Sequence, residues 1–134
     1  LHVFNSRGEL YLQKRPDWKD IQPGKWDTAV GGHIDLGESV EMALKREVRE
    51  ELGITDFTPV RLIHYVFESS REKELVFAHK TVYDGPINPS EEVADGRFWP
   101  IEEIKANLGK EIFTPNFENE FNKVLLENLS TDKV

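Results

Sequence analysis

The chain has 134 residues, a formal net charge of −8 from 17 basic and 25 acidic residues, and no cysteine. This length predicts a single domain over residues 1–134, and the lack of cysteine excludes disulfides, thiolate metal sites and a cysteine nucleophile. The acidic excess disfavours a nucleic acid polymer as partner, and no apolar run approaches the about 20 residues of a membrane span. A cysteine-free chain suits a reducing compartment, so we expect a cytoplasmic protein.

The N-terminal half of the sequence predicts two strands, a loop and a helix. Residues 1–5 and 9–15 are expected as strands joined by a turn. The chain therefore opens inside a strand, which leaves open whether residues precede it. Prolines and a glycine mark residues 16–27 as a loop. The double glycine at 31–32 allows close backbone approach to a ligand. The helix that follows is expected to end at Gly53, because glycine adopts the left-handed conformation easily.

The C-terminal half predicts two long strands, a short strand and two helices. The long strands cover residues 58–68 and 74–83, and residues 97–99 form the short one. A short helix is expected over 101–108, and Thr114 is expected to cap a last helix. The apolar stripe of that last helix contains Phe117, Phe121, Val124, Leu125 and Leu129. Strands that alternate with helices predict an α/β fold in which helices cover both faces of the sheet.

Three carboxylates lie on one side of the helix that ends at Gly53. At about 100° per residue, Glu47, Glu50 and Glu51 fall at the edge of its apolar stripe. Partly buried carboxylates are costly unless something neutralises them, and oxygen ligands suit hard divalent cations. The alternative is an acidic surface helix with salt bridges to Lys45, Arg46 and Arg49. Composition alone leaves both interpretations open.

The spacing of these residues matches a known pattern. Residues 32–54 satisfy G-x5-E-x7-R-E-U-x-E-E-x-G-U, where U is aliphatic, at every fixed position. This pattern is the Nudix box, and the chain resembles the Nudix hydrolases. The resemblance implies the Nudix fold, a mixed β-sheet sandwiched between α-helices. It also implies that Glu47, Glu50 and Glu51 bind catalytic Mg²⁺ or Mn²⁺, with Glu47 often acting as the base for the attacking water.

The same resemblance assigns supporting residues around the box. Glu38 and Arg46 correspond to a salt bridge that braces the box loop against the helix. The carbonyl of Gly31 corresponds to a frequent metal ligand, and Gly32 supports the site as part of the double glycine. An ordinary glycine turn is the alternative for these two residues.

Further candidates lie outside the box. Many relatives supply another carboxylate from downstream, for which Glu92 ranks first; Glu72, Glu74 and Glu91 are the other candidates. Cations beside the loop before the box, above all Arg15 and Lys25, and also Lys14 and Lys19, are placed to meet substrate phosphates. His33 is a candidate for substrate binding, against a structural role. Stacking on a base is a possible role of Trp18, Trp26 or Phe77, against ordinary packing.

Three phrases indicate a branch of the family. FN-x-x-G-E-L, PG-x-W and GH-x-x-x-GES resemble the branch that contains isopentenyl-diphosphate isomerases. Those isomerases need a cysteine that would fall at Gly31 here, so hydrolysis is the better prediction. The expected reaction cleaves the phosphoanhydride bond of a nucleoside diphosphate linked to another moiety, or of a related small diphosphate. The alternatives are a nucleotide-binding regulatory domain and, less favoured, an isomerase. A homodimer is consistent with the family.

Overall fold

One mixed sheet with helices on both sides organises the chain. The structure is a computed structural model and describes residues 1–18, 21–32, 34–68, 70, 73–91 and 93–125. The strands are β1 (His2–Phe4), β2 (Leu10–Lys14), β3 (Trp26–Thr28), β4 (Val60–Glu68), β5 (Lys73–Val82) and β6 (Asp95–Trp99). The helices are α1 (Val40–Leu52), α2 (Ile101–Asn107) and α3 (Pro115–Glu120), and α3 continues into a π-helical turn over Phe121–Leu125.

The sheet contains both parallel and antiparallel pairs. Its strand order is β3-β2-β1-β5-β4, and β6 also pairs with β2. β1 runs parallel to β5, while β1–β2, β2–β3, β2–β6 and β4–β5 are antiparallel. The mixed sheet that the sequence predicts is therefore confirmed.

Two apolar clusters pack on the strands and α1, α2 and α3. Along β1 and β2, successive side chains point to opposite faces, so Phe4 joins one cluster and Val3 the other. The first cluster contains Phe4, Leu10, Leu12, Trp99, Ile104, Phe113, Phe117, Phe121 and Leu125. The second contains Leu1, Val3, Tyr11, Ala29, Val30, Val48, Leu52 and Ile54. The first thus joins the sheet to α2 and α3 and the second joins it to α1, which confirms the sandwich.

Local capping chemistry fixes both ends of α1. The side chain of Ser39 accepts a hydrogen bond from the backbone N–H of Met42, and such a cap is worth about 1 kcal/mol. Gly53 ends the helix with φ of 68°, in the left-handed region. Val48 and Leu52 are fully buried, so Glu47 and Glu51, each one residue before a buried position, lie at the edge of the packed face.

The structure differs from the sequence expectations in two places. Residues 26–28, expected as the end of a loop and the residue after it, form β3, because they pair with β2 in the register Leu12↔Thr28 and Lys14↔Trp26. The last helix departs from α-helical geometry at Phe121, and Leu129 lies outside the described residues. Among the helices that the structure describes, none is long and apolar enough to span a membrane.

Candidate active site

A cavity of about 890 Å³ lies between α1, the sheet and the start of α3. Two of the box acids, Glu47 and Glu51, line it, together with Gly31 and Gly32. The lining also includes residues that the sequence interpretation did not single out: Gln13, Asp27, Tyr65, His79, Asn116 and Glu120. The box therefore contributes one part of a larger polar cavity.

Among the acids of the box, Glu51 is the one whose pKa is raised by burial. Its Oε2 atom is buried and has no hydrogen-bond partner among the described residues. Burial, reinforced by the negative charge of Glu47, raises the pKa of Glu51 to about 7. A carboxyl with an unmet oxygen and a high pKa is a place where a cation would be strongly favourable.

Glu50 does not join the other two acids in the cavity. Its side chain is 54% exposed, and its Oε2 lies 3.4 Å from Nη1 of Arg46. Among the described residues, no group of three or more His, Cys, Asp or Glu side chains is arranged to hold a metal ion. The three carboxylates share one side of α1, as the sequence predicts, but Glu50 turns toward the neighbouring guanidinium.

Arg46 ties the box loop to α1. Its Nε and Nη2 donate to the two carboxylate oxygens of Glu38 at 2.8 and 2.9 Å, a bidentate pair. Nη1 donates to Oε1 of Glu47 at 2.8 Å, and Nη2 lies 3.2 Å from Asp35. Hydrogen bonds from Arg46 hold the pKa of Glu38 at about 2. The salt bridge that the resemblance implies is therefore present, and it reaches Glu47 as well.

The two glycines of the double glycine differ in their surroundings. A Cβ atom at Gly32 would overlap the carboxyl group of Glu47, whereas one at Gly31 would meet nothing within 4 Å. Neither glycine adopts a positive φ. A side chain at residue 32 would therefore displace the carboxyl group of Glu47, whereas backbone conformation does not require glycine at either position.

The donors at this end of the cavity fit a hard divalent cation. Glu47, Glu51 and the carbonyl of Gly31 offer oxygen ligands, which suit Mg²⁺ and Mn²⁺. The unpartnered Oε2 of Glu51 supplies the unmet acceptor that such an ion would satisfy.

A second acidic group occupies the α3 side of the cavity. Glu120 is 8% exposed, and its two carboxylate oxygens contact Nε2 of His2 and the hydroxyl of Tyr65. Burial favours the neutral form of Glu120, but the hydrogen bond and charge of His2 and the hydrogen bond of Tyr65 outweigh it and leave the pKa at about 2. Burial and the bond to Glu120 raise the pKa of Tyr65.

Sequence interpretation missed Glu120, although a signal was available. Residue 120 lies three residues after Phe117 and four before Val124, within the apolar stripe of the last helix. A charged residue at such a position must find partners inside the protein. Its partners, His2 and Tyr65, lie far away along the chain.

Asp27 forms a third polar group, near the N-terminus of α3. Its Oδ1 accepts hydrogen bonds from Oγ1 of Thr114 at 3.0 Å and from the backbone N–H of Thr28 at 2.7 Å. Its Oδ2 lies 3.6 Å from Nη1 of Arg15. Burial raises the pKa of Asp27, although the bonds from Thr28 and Thr114 oppose the rise.

Some of the remaining sequence candidates line the cavity and others do not. Those that line the cavity are Lys14, Arg15, Glu74 and Phe77. Those that do not are Trp18, Lys25, Trp26 and Glu91. Trp26 packs edge-on against Trp99, so the packing interpretation holds for it. Lys19, His33, Glu72 and Glu92 lie outside the described residues.

Comparison with known proteins identifies the class to which this fold and box belong. The NUDIX domain family model matches residues 1–117. A Nudix hydrolase of Listeria monocytogenes is 37% identical over 118 residues, which are 86% of this chain and 69% of that protein. The MutT protein of Methanosarcina mazei Go1 superposes with a TM-score of 0.77 at 28% identity, covering 95% of this chain and 90% of that one. The chain belongs to the Nudix family.

The branch and the class of enzyme follow from the same comparisons. The isopentenyl-diphosphate Delta-isomerase of Salmonella arizonae is 34% identical over 111 residues, which are 76% of this chain and 60% of that protein. The predicted resemblance to this branch is therefore confirmed. The chain contains no cysteine, and glycine stands at residue 31, where the cysteine of the isomerases would fall. Within the family, the intact box and the MutT-like fold are those of a Nudix-type pyrophosphohydrolase.

Proposed function

We propose that this single domain hydrolyses the phosphoanhydride bond of a nucleoside diphosphate linked to another moiety, or of a related small diphosphate, with Mg²⁺ or Mn²⁺ as cofactor. One observation carries the proposal. The carboxylates of Glu47 and Glu51 share a cavity with Arg15, and Glu51 has an unmet buried oxygen there. An acidic donor set beside a cation suits a diphosphate bridged by a divalent ion, and suits an uncharged substrate poorly.

Each residue has a defined part in the proposed reaction. Arg15 binds phosphate oxygens from the sheet side, since a guanidinium matches phosphate geometry. Arg46 fixes the carboxylate of Glu47, which accepts the proton of the attacking water. Glu47, Glu50, Glu51 and the Gly31 carbonyl would hold the ion, which would neutralise phosphate charge and lower the pKa of water. Glu92 and His33 stay candidates for a further base and for substrate binding.

A binding or regulatory domain is the alternative from another class. The intact acids of the box disfavour it, because a domain that only senses a nucleotide has no need of the hydrolytic carboxylates. The proposal also includes a cytoplasmic location and a small-molecule substrate. A homodimer is consistent with the family, and light scattering of the purified chain measures the oligomeric state directly.

The test is a phosphate-release screen with and without Mg²⁺, with alkaline phosphatase added to free phosphate from monoester products. The panel contains ADP-ribose, nucleotide sugars, dinucleotides, nucleoside diphosphates and triphosphates, and prenyl diphosphates, with triphosphates and diphosphates also assayed without the phosphatase. The variants are Glu50→Gln, Glu51→Gln and the control Glu41→Gln. Glu41 lies on the same helix, is 70% exposed and pairs with Lys45 at 3.2 Å.

We expect Mg²⁺-dependent release by wild type and Glu41→Gln. The rate of phosphate release by Glu51→Gln and by Glu50→Gln should be lower by at least about a hundredfold, because a metal supplies several kcal/mol of transition-state stabilisation. If Glu50→Gln behaves like Glu41→Gln while Glu51→Gln is inactive, then Glu50 stays on Arg46 and is no metal ligand. If the wild type releases no phosphate from any compound of the panel but still binds nucleotides, the result would support the regulatory alternative.

A further inference from the structure

Asp27 lines the cavity but is not a residue of the Nudix box. It lies in the middle of β3, and hydrogen bonds hold its Oδ1 in place: the hydroxyl of Thr114 at 3.0 Å and the backbone N–H of Thr28 at 2.7 Å. Thr114 is itself fixed, since its N–H donates to the carbonyl of Trp26 at 2.9 Å and its hydroxyl accepts from the N–H of Phe117 at 3.2 Å. The carboxylate of Asp27 is therefore anchored to both β3 and the cap of α3.

The other oxygen of Asp27 faces Arg15. Nη1 of Arg15 lies 3.6 Å from Oδ2, and Nε of Arg15 donates to the carbonyl of Ile21 at 3.0 Å. The guanidinium is thus held from two sides, by a strand and by the loop before the box, at the wall of the cavity. A guanidinium has five N–H donors, so these contacts leave capacity to bind an anion.

We propose that Asp27 is a positioning residue that holds the guanidinium of Arg15 in the orientation in which it binds the substrate phosphate. This inference rests on the proposed function for the identity of the anion. A long, flexible side chain loses conformational freedom when it binds, and prior anchoring reduces that cost. Asp27 does not touch the substrate; it acts through Arg15.

The sign of one substitution distinguishes positioning from plain electrostatics. Asp27→Asn keeps the shape and an acceptor for Thr114 but removes a negative charge beside an anion site. If Asp27 were only a nearby charge, its removal would reduce repulsion and lower KM for a diphosphate. If Asp27 positions Arg15, KM should rise although the repulsion has been reduced.

The kinetic experiment measures kcat and KM of wild type, Asp27→Asn, Arg15→Gln and the double variant on the substrate that the panel selects. We expect Asp27→Asn to raise KM by about three- to tenfold with kcat changed less, within the range of couplings measured for residues in contact. Asp27→Asn should add little to Arg15→Gln, because its effect requires the guanidinium. The control Asp56→Asn removes an exposed carboxylate in the segment that follows α1 and reports the general effect of one charge.

A second readout needs no substrate. In the NMR spectrum of arginine guanidinium groups, the Arg15 Nη–H signals are identified by their absence from Arg15→Gln. We expect these signals to lose order and to exchange faster with water in Asp27→Asn, but not in Asp56→Asn, because Asp27 contacts Nη1. Thermal unfolding and far-UV circular dichroism check that each variant is folded.

The outcomes separate the two proposals. Unchanged Arg15 Nη–H signals in Asp27→Asn, or a KM that falls as in a simple charge removal, would overturn the positioning role even if the enzyme hydrolyses its substrate as proposed. A wild type that hydrolyses nothing in the panel would overturn the proposed function, while the NMR comparison would still decide whether Asp27 orders Arg15.

Discussion

Glu51 and Glu120 line the same cavity, yet their pKa values shift in opposite directions. Burial disfavours the charged form of both. Glu51 has an unpartnered buried oxygen and a pKa raised to about 7, whereas Glu120 contacts His2 and Tyr65 and has a pKa of about 2. Burial therefore does not decide the charge of a carboxyl at neutral pH; its partners do.

This difference assigns different tasks to the two acids. The oxygens of Glu120 are already satisfied by protein groups, so Glu120 stabilises the contact between β4 and α3. Glu51 carries a polar atom that the described residues leave unmet, and such an atom costs free energy until a ligand satisfies it. An unmet acceptor that costs stability at one point of a cavity is typical of a site prepared for a cation.

The largest effect that we expect is on stability in acid. The lowered pKa of Glu120 means that its stabilising contribution is complete above its ordinary pKa of 4.5 and is lost as the pH falls through about 2. The difference corresponds to roughly 3 kcal/mol. Between pH 6 and pH 2, the free energy of unfolding of the wild type should therefore fall by about that much more than that of Glu120→Gln.

Urea unfolding at both pH values measures this difference. Glu102→Gln is the control, because the Glu102 side chain is 88% exposed. Equal pH dependence of wild type and Glu120→Gln would show that the bonds of His2 and Tyr65 do not hold Glu120 ionised, and would remove the contrast with Glu51.

The next effect concerns the position of Glu47, the acid whose charge adds to burial in raising the pKa of Glu51. A methyl group at Gly32 would overlap the carboxyl of Glu47, while one at Gly31 meets open space. Gly32→Ala should reduce kcat/KM by about a hundredfold, the loss typical of a displaced catalytic group. The loss in Gly31→Ala should be at least about tenfold smaller, because its backbone carbonyl is kept.

Steady-state kinetics of the two alanine variants, with Tm as a check on folding, makes this comparison. Equal losses in both would mean that the double glycine acts through its backbone conformation and not through the space it leaves for Glu47.

The contrast between the acids also shows what the sequence can predict. The helix end at Gly53 and the pairing of Glu38 with Arg46 depend on neighbours within one helix and its flanking residues, and these predictions match the structure. The bonds of Glu120 join residues 118 and 55 positions apart. Helical periodicity marks residue 120 as internal but cannot name its partners, because they are set by the strand order.

Two other residues show where sequence spacing leaves the outcome undecided, for equally physical reasons. Spacing groups Glu50 with the other box acids and also four residues after Arg46, so it leaves a metal site and a salt bridge open; in the structure Oε2 of Glu50 lies 3.4 Å from Nη1 of Arg46. Asp27 lay inside residues assigned to a loop. Its role depends on β3, a strand of only three residues that forms through pairing with β2 and is too short for a sequence pattern to separate it from the loop before it.

The smallest effect concerns the stability cost of Glu51 itself. Because the folded state raises this pKa from 4.5 to about 7, the charged form destabilises the fold increasingly as the pH rises through this interval, and the cost is complete above about 7. Glu51→Gln should therefore be more stable than wild type at pH 8 by about 1 kcal/mol, after discounting for the partial solvent exposure of the side chain, and equal to it at pH 4. Adding Mg²⁺ at pH 8 should raise the Tm of wild type and of Glu120→Gln but not that of Glu51→Gln, since an ion that binds only the folded state stabilises it by mass action.

Urea unfolding at the two pH values and a Mg²⁺ titration of Tm provide the measurements. A wild type as stable as Glu51→Gln at pH 8 without metal would mean that the unmet oxygen carries no cost, and the case for a site prepared for a cation would then depend on the kinetics alone.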